Sequence, residues 1–455
     1  MRITLSNPLT LNEIFQNAPS VISINRDAVI HSIVTNSKEA KKNDLFIAIS
    51  GENTNGENYT EEAKSHGAYI LSKRDLNADL VASDTTLAML EIAAHFKSKL
   101  KNLKTTVAIT GSVGKTTTKN VMSKMLSTKY ITHATKENYN NFIGLSHTLL
   151  SAPKNTEIIV AELGMNHIGE ISTMSKILKP DIAVITNIGT SHIGNLGSRE
   201  VIAKAKLEII DGMKIPRLII PHGETLLKKI DGKNTFSTSD PNSDYYMEIT
   251  DRNSSYTEFN IISKKINLKE FRVSLPGTHV TDALCISVSL MDLIGIKQKD
   301  IENSICMIDK ECIRGKIVEI SDFYAYDDTY SSSYEAALCD FEVLQLYNSP
   351  KSCMLGDMLE LGTHSERLHR KLGKAVYEYG FRNLYTFGPY AKLIADGALE
   401  AGMNKENIFI NSNASKPEIT ANQIINNKIK DEIILFKASH SIHAEKIIDL
   451  LIKYS

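Results

Sequence analysis

The sequence predicts an α/β protein in three blocks, residues 1–83, 84–312 and 313–455. Three observations carry that reading. Continuous apolar strands alternate with helices, the pattern of a parallel sheet covered on both faces. A glycine loop follows one such strand and opens a helix. One stretch, Tyr245 to Leu275, instead alternates polar and apolar residues, as antiparallel strands at a sheet edge do.

In the first block the pattern predicts a strand at Asp44 to Ile49 and a polar loop from Gly51 to Asn58. A helix at Glu61 to His66 and a strand at Ala68 to Leu71 follow. In the second, an amphipathic helix from Thr86 to Leu100 leads into the strand Thr105 to Thr110, the glycine loop and a helix from Lys115 to Leu126. Buried strands follow at Glu157 to Leu163 and Asp181 to Thr186, each with a helix after it, and the helix Asp282 to Ile294 closes the block. The third block has strands at Phe323 to Asp327, Ser352 to Leu355, Leu384 to Phe387, Ile408 to Ile410 and Glu432 to Phe436. Helices lie between them, so it reads as a second, smaller α/β unit.

Bulk composition narrows the partners. With 52 basic and 53 acidic residues, nothing in the overall charge points to nucleic acid. The cysteines number five and form no C-x-x-C pair, which argues against a disulfide framework and fits a reducing compartment. No stretch approaches the roughly 20 apolar residues of a membrane span, and the N-terminus lacks the pattern of a signal peptide. The expectation is a cytoplasmic protein without membrane insertion.

The chemistry begins at Gly111-Ser112-Val113-Gly114-Lys115-Thr116-Thr117. In a strand–loop–helix setting, backbone N–H groups and the helix N-terminus face an anion, Lys115 reaches phosphates and Thr116 can hold Mg²⁺. The spacing between the glycines is shorter than in the common P-loop, where a glycine would stand at Ile109. The alternative is a threonine-rich turn that only opens a helix. Glu162 ends an apolar strand at the sheet edge where ligands bind, and a carboxylate there can take Mg²⁺ with nucleotide phosphates. Otherwise it is a surface glutamate. His192 follows a buried strand at the same edge, as a ligand or as a solvated histidine. Lys206 falls in a helix expected from Arg199 to Met213, and spacing alone makes it a solvated charge. Asp327-Asp328 ends a strand, placed for ribose hydroxyls, a metal, or merely a polar strand end. Gly356-Asp357-Met358-Leu359-Glu360-Leu361-Gly362 reads as a functional loop whose ligand periodicity does not name.

Together these segments resemble the Mur ligases, most closely their MurF branch, over nearly the whole chain. The segments are the glycine loop, Glu162 to Glu170, Thr186 to Gly189 with Ser191-His192, Ala205 to Ile209 and Gly356 to Gly362. The resemblance implies a UDP-acceptor-binding N-terminal domain and a central P-loop ATPase domain on a parallel sheet. A C-terminal Rossmann-like α/β domain would bind the incoming amine. It also implies a monomeric, ADP-forming ligase of cell-wall precursor synthesis. ATP would phosphorylate the carboxylate of a UDP-linked peptide, and a dipeptide or amino acid would attack the acyl phosphate. Lys115 would stabilise the β/γ-phosphates, while Thr116, Glu162 and His192 would hold Mg²⁺. Lys206 matches a lysine that CO₂ carbamylates in several members, giving a carboxylate for a second Mg²⁺. Asn141 would contact the nucleotide and Asp328 its ribose. Ser37 and Lys38 fall in the uridine motif, and Asp357 and Lys437 fall in the C-terminal motifs taken to bind substrate.

The departures are local. The usual Asp-Ser-Arg reads Asn36-Ser37-Lys38, which loses a bidentate fork. Gly-x-His-Asn reads Gly277-Thr278-His279-Val280, and the hinge Gly-Arg reads Gly315-Lys316 with Arg314 beside it. Tyr-Asn-Ala-Asn-Pro reads Tyr330-Ser331-Ser332-Ser333-Tyr334, and Lys-Gly-Ser-Arg reads Lys437-Ala438-Ser439-His440. Phosphate and metal positions match while substrate positions drift. The main expectation is a ligase adding D-alanyl-D-alanine to a UDP-N-acetylmuramoyl tripeptide. The alternatives are a MurF-like ligase with another amine or acceptor, as in archaeal pseudomurein or a modified wall, and a non-catalytic ATP-binding relative.

Overall fold

The structure, a computed structural model, describes residues 1–51, 54–75, 77–313 and 315–454, and only the backbone at 278 and 279. The described residues form three sheets, of six, nine and six strands. The first runs Arg2–Thr10, Val29–Val34, Asp44–Ile47, Tyr69–Ser72, Leu80–Ala82, Val21–Ile24 from edge to edge. The third runs Lys316–Ile320, Phe323–Asp328, Ile433–Lys437, Lys351–Gly356, Leu384–Phe387, Ile408–Asn411.

The central sheet positions the site. At its heart the strand Thr105–Thr110 pairs in parallel with Ile182–Ile185 on one side and Ile158–Glu162 on the other. Val107, Ala108 and Ile109 are fully buried, as helices on both faces require. The register sets Ile109 opposite Glu162 and Thr110 opposite Ile185. Glu162 and the segment after Ile185 therefore arrive at one edge with the glycine loop. At the far edge Tyr245–Arg252, Thr257–Ser263 and Asn267–Val273 run antiparallel, as their alternation predicts.

Three local expectations shift. The helix expected at Asp282 starts at Thr278, directly after Gly277, whose φ of 110° suits glycine. The helix expected from Arg199 to Met213 is α-helical only over Arg199–Leu207, and a 3₁₀ turn follows at Glu208–Ile210. There the Glu208 carboxylate accepts from Gly169 N–H at 2.8 Å and Ser172 N–H at 3.1 Å, which caps the helix Glu170–Leu178. In the expected polar loop of the first block, Gly56–Tyr59 forms a 3₁₀ turn instead.

The third unit docks on the central one by close backbone approach. Gly194 N–H donates to the Glu360 carbonyl at 2.9 Å, and a Cβ on Gly194 would stand 2.4 Å from Gly362 N. Gly194→Ala should weaken this contact by about 1–3 kcal/mol, the usual cost of overpacking. The expected result is a larger radius of gyration in small-angle scattering, with new protease cuts within 356–362. An unchanged scattering profile would count against the contact as a determinant of how the units sit.

Candidate active site

The glycine loop is shaped from outside. Gly111 has φ 152°, and a Cβ there would lie 1.8 Å from Thr186 Oγ1. Thr186 Oγ1 donates to the Val113 carbonyl at 2.6 Å. Asn187 holds the same residue twice, accepting from Val113 N–H through Oδ1 at 2.9 Å and donating to its carbonyl through Nδ2 at 2.9 Å. Ser112 N–H donates to the Asn187 carbonyl at 3.2 Å, and Ser112 Oγ accepts from Gly189 N–H at 2.9 Å. The N–H groups of Ser112 and Val113, expected to face phosphate, are thus spent in shaping the loop. The helix Lys115–Leu126 begins directly after the loop, and a helix N-terminus is the end that attracts an anion. Gly114 makes that start possible, with φ 82° at the N-cap. Lys115 Nζ lies over the loop, donating to Gly111 O at 2.8 Å and Ser112 O at 3.4 Å.

Glu162 is no surface glutamate. It is 1% exposed. Its carboxylate accepts from Thr116 Oγ1 at 2.9 Å and from Asn140 Nδ2 at 2.8 Å, and its N–H donates to Thr135 Oγ1 at 3.0 Å. A hydroxyl and a carboxylate in contact beside an anion site are hard oxygen donors that suit Mg²⁺. Asn141, expected to contact nucleotide, caps the helix Phe142–Leu150 by accepting from Gly144 N–H at 2.9 Å. Its neighbour Asn140 lines the cavity instead.

His192 sits at φ 63° and pairs through Nδ1 with Glu360 of the third unit, itself at φ 60°. This pairing holds the Glu360 carboxyl below its usual range. His192 faces the same cavity as Glu162, with its Nδ1 directed to a carboxylate. Among the described residues no three His, Cys, Asp or Glu side chains converge on a metal position. Lys206, expected to be solvated, is 2% exposed and meets no hydrogen-bond or ion-pair partner among the described residues. Burial, and then the charge of Lys115, lower its ammonium well below the usual lysine range.

Two cavities adjoin at the junction of the central and third units. The first, about 490 Å³, has the glycine loop, Glu162 and His192 on one wall and Asp328, Asp340 and Glu360 on the other. The second, about 1060 Å³, shares Thr116, Asn138 and Asp328 with it. Tyr330 and His440 also line both, their rings stacked 5.3 Å apart.

Other expected contacts lie elsewhere. Lys437 is fully buried behind the wall, in contact with Asp328 and 2.7 Å from Asp340. Burial disfavours its charge and the two carboxylates more than restore it. Asp357 is also buried. Its Oδ1 accepts from Tyr390 N–H at 3.0 Å, and burial pushes the carboxyl up to about 6. Ser37 is buried with its hydroxyl given to Glu62, whereas Lys38 is exposed, and neither lines the two cavities. Arg314 lies outside the described residues.

Asn187, Asn140, Glu360 and His369 shape the site without a role expected from the sequence. The first three stand inside or beside quoted motifs. His369 stands in none: it is buried, accepts from Met358 N–H at 3.0 Å and faces Ser365 O at 2.7 Å, so it braces the 356–362 loop.

The buried Lys206 generates a pH prediction. A lysine whose folded pKa is depressed binds fewer protons when folded, so stability rises with pH until the unfolded lysine also loses its proton. In CO₂-free buffer the unfolding free energy of the wild type relative to Lys206→Met should climb as pH rises toward about 10, where the unfolded lysine loses its proton, by at most about 1.4 kcal/mol per pH unit. Denaturant titrations that give a flat difference would show that Lys206 is charged in the fold.

Comparison with known proteins bears on the whole chain. Residues 109–291 match the Mur ligase middle domain. The chain is 34% identical over 440 residues to the UDP-N-acetylmuramoyl-tripeptide–D-alanyl-D-alanine ligase of Bacillus subtilis, covering 93% of this chain and 94% of that one. It is 31% identical over 450 residues to the protein of that name in Rickettsia prowazekii, covering 94% and 96%. MurF from Acinetobacter baumannii superposes with a TM-score of 0.87 at 25% identity, covering 99% of this chain and 100% of that one. MurF ligase from Thermotoga maritima, solved in complex with ADP, superposes with a TM-score of 0.78 at 26% identity, covering 92% and 97%. A pseudomurein peptide ligase from Methanothermus fervidus, at 14% identity and a TM-score of 0.62, shares the fold alone. With identity above 30% sustained end to end, the chain belongs to the MurF family of Mur ligases.

Proposed function

We propose that this chain joins D-alanyl-D-alanine to a UDP-N-acetylmuramoyl tripeptide, consuming ATP and releasing ADP and phosphate. The observation that carries the reading is one cavity whose central wall holds the phosphate loop and the Thr116–Glu162 pair, and whose facing wall comes from the third unit. The pseudomurein alternative draws no support beyond the fold, since the likeness there is one of fold only. The non-catalytic alternative falls with the family assignment. In this reading residues 1–83 take the UDP end, 84–312 take ATP and 313–455 take the dipeptide. The reaction takes place in the cytoplasm, and among the described residues no helix is long and apolar enough to cross a membrane.

The residues divide the work. The first turn of helix Lys115–Leu126 and the Lys115 ammonium receive the phosphates. The acceptor carboxylate attacks the γ-phosphorus and ADP leaves. The dipeptide amine then attacks the acyl carbon, loses a proton, and phosphate departs. Thr116 and Glu162 would hold Mg²⁺, which supplies charge neutralisation on the phosphate oxygens. His192, on the central wall, ties Glu360 of the facing wall to the site. The uncharged amine of Lys206 is the form that adds CO₂, and a carbamate there would replace a buried neutral amine with an anionic donor.

A phosphate-release screen crossing UDP-peptide acceptors with amino acids and dipeptides tests the substrates. Only D-alanyl-D-alanine with a UDP-muramoyl tripeptide should turn over, and silence from that pair with activity from another defeats the assignment. Lys115→Ala should lower turnover by about a thousandfold. Lys206→Ala should be severely impaired and partly rescued by short carboxylates; full activity without them rules out the carbamate.

A further inference from the structure

Lys437 touches no ligand space, yet it is placed to fix a residue that does. It ends the strand Ile433–Lys437, directly opposite Asp328 in the parallel pairing with Phe323–Asp328. Its ammonium meets the Asp328 carboxylate and, 2.7 Å away, Asp340 from the helix Tyr334–Gln345. Two strand ends and a helix therefore converge on one buried cation. An ammonium has three donors and no acceptor, so two carboxylates fix where it sits better than one. Asp328 in turn stands in the wall shared by both cavities. A direct substrate contact by Lys437 is opposed by its complete burial.

We propose that Lys437 and Asp340 are positioning residues that hold the Asp328 carboxylate in the orientation that receives the ribose hydroxyls of the nucleotide. The proposal rests on the reading of Asp328 as the ribose contact, and it assigns to nucleotide affinity a lysine that the resemblance places on the substrate side. Because the three groups form a unit, loss of the cation acts on ATP and leaves acceptor and dipeptide recognition in place.

The test measures ligase turnover of the full chain with ATP, 2′-deoxy-ATP and 3′-deoxy-ATP. Lys437→Met should raise the KM for ATP about tenfold, the usual effect of a lost charge-assisted hydrogen bond, with kcat and the KM for the UDP-tripeptide changed less than about threefold. It should also erase the wild-type preference for ATP over at least one deoxy analogue. Asp340→Asn should move both readouts in the same direction, and if it moves neither, Asp340 has no part in the positioning. Should Lys437→Met fail to fold, Lys437→Met/Asp340→Leu removes a buried carboxylate with its counter-ion and carries the same test. Asp328→Asn separates the two readings. If it leaves the KM for ATP and the deoxy preference intact, the ribose assignment fails. If it changes both while Lys437→Met changes neither, the positioning role is overturned. Equal losses toward every nucleotide and the acceptor would mean a merely structural lysine and would also overturn it.

Discussion

The two-sided grip of Asn187 on Val113 is the constraint on which the site depends. A loop between a strand and a helix has many conformations, and ordering each backbone residue costs about 1–2 kcal/mol. The strand that ends in Ile185 runs beside the strand that feeds the loop, so the residues after it arrive at the same height. Asn187 then satisfies both backbone groups of Val113, and Thr186 fills the space that a side chain on Gly111 would need. Once the loop is set, Gly114 starts the helix, Lys115 turns back over the loop, and Thr116 meets Glu162 from the strand on the other side. Parallel pairing is thus what turns three separate stretches of sequence into one cavity wall.

The second layer is the meeting of two walls, one from each unit. The central wall offers a helix N-terminus and Lys115; the facing wall offers Asp328, Asp340 and Glu360. The close approach of Gly194 to the 356–362 loop brings the walls together, and the His192–Glu360 pair spans them. Both partners of that pair are non-glycine residues in left-handed backbone, a conformation that persists only where surrounding structure over-determines it.

The strands and the loop were legible because burial and periodicity leave a direct mark. Thr105–Thr110, Lys115–Leu126 and Leu384–Phe387 fall where the pattern puts them. Side-chain direction leaves a weaker mark. Asn140 and Asn141 are adjacent, and only the helix start decides that one caps while the other faces the cavity. Lys206 was open to a better reading: it lies four residues after Ile202, on the buried stripe of its helix. Lys437 likewise continues a fully buried strand, Ile433–Lys437, whose run of apolar residues already argued against an exposed end. His369 left no such signal, because a histidine among Leu368 and Leu372 reads the same whether it braces a loop or merely fills space.

The departures from the family pattern sort by what they preserve. Ser333 caps the helix Tyr334–Gln345 by accepting from Ala336 N–H at 3.3 Å, a role that serine and asparagine fill equally well. Ala438 is accommodated because residue 356 is glycine: a Cβ there would come within 2.6 Å of the Ala438 Cβ. Both changes conserve backbone shape. His440 in place of arginine is of another kind. It exchanges a permanent planar cation that forks to two acceptors for an imidazole ring, and it stacks on Tyr330 in the partition between the two cavities. Where a substitution keeps the scaffold, it says nothing about substrate. Where it changes charge on a cavity wall it alters what the wall can recognise, and among these changes that distinction falls on His440.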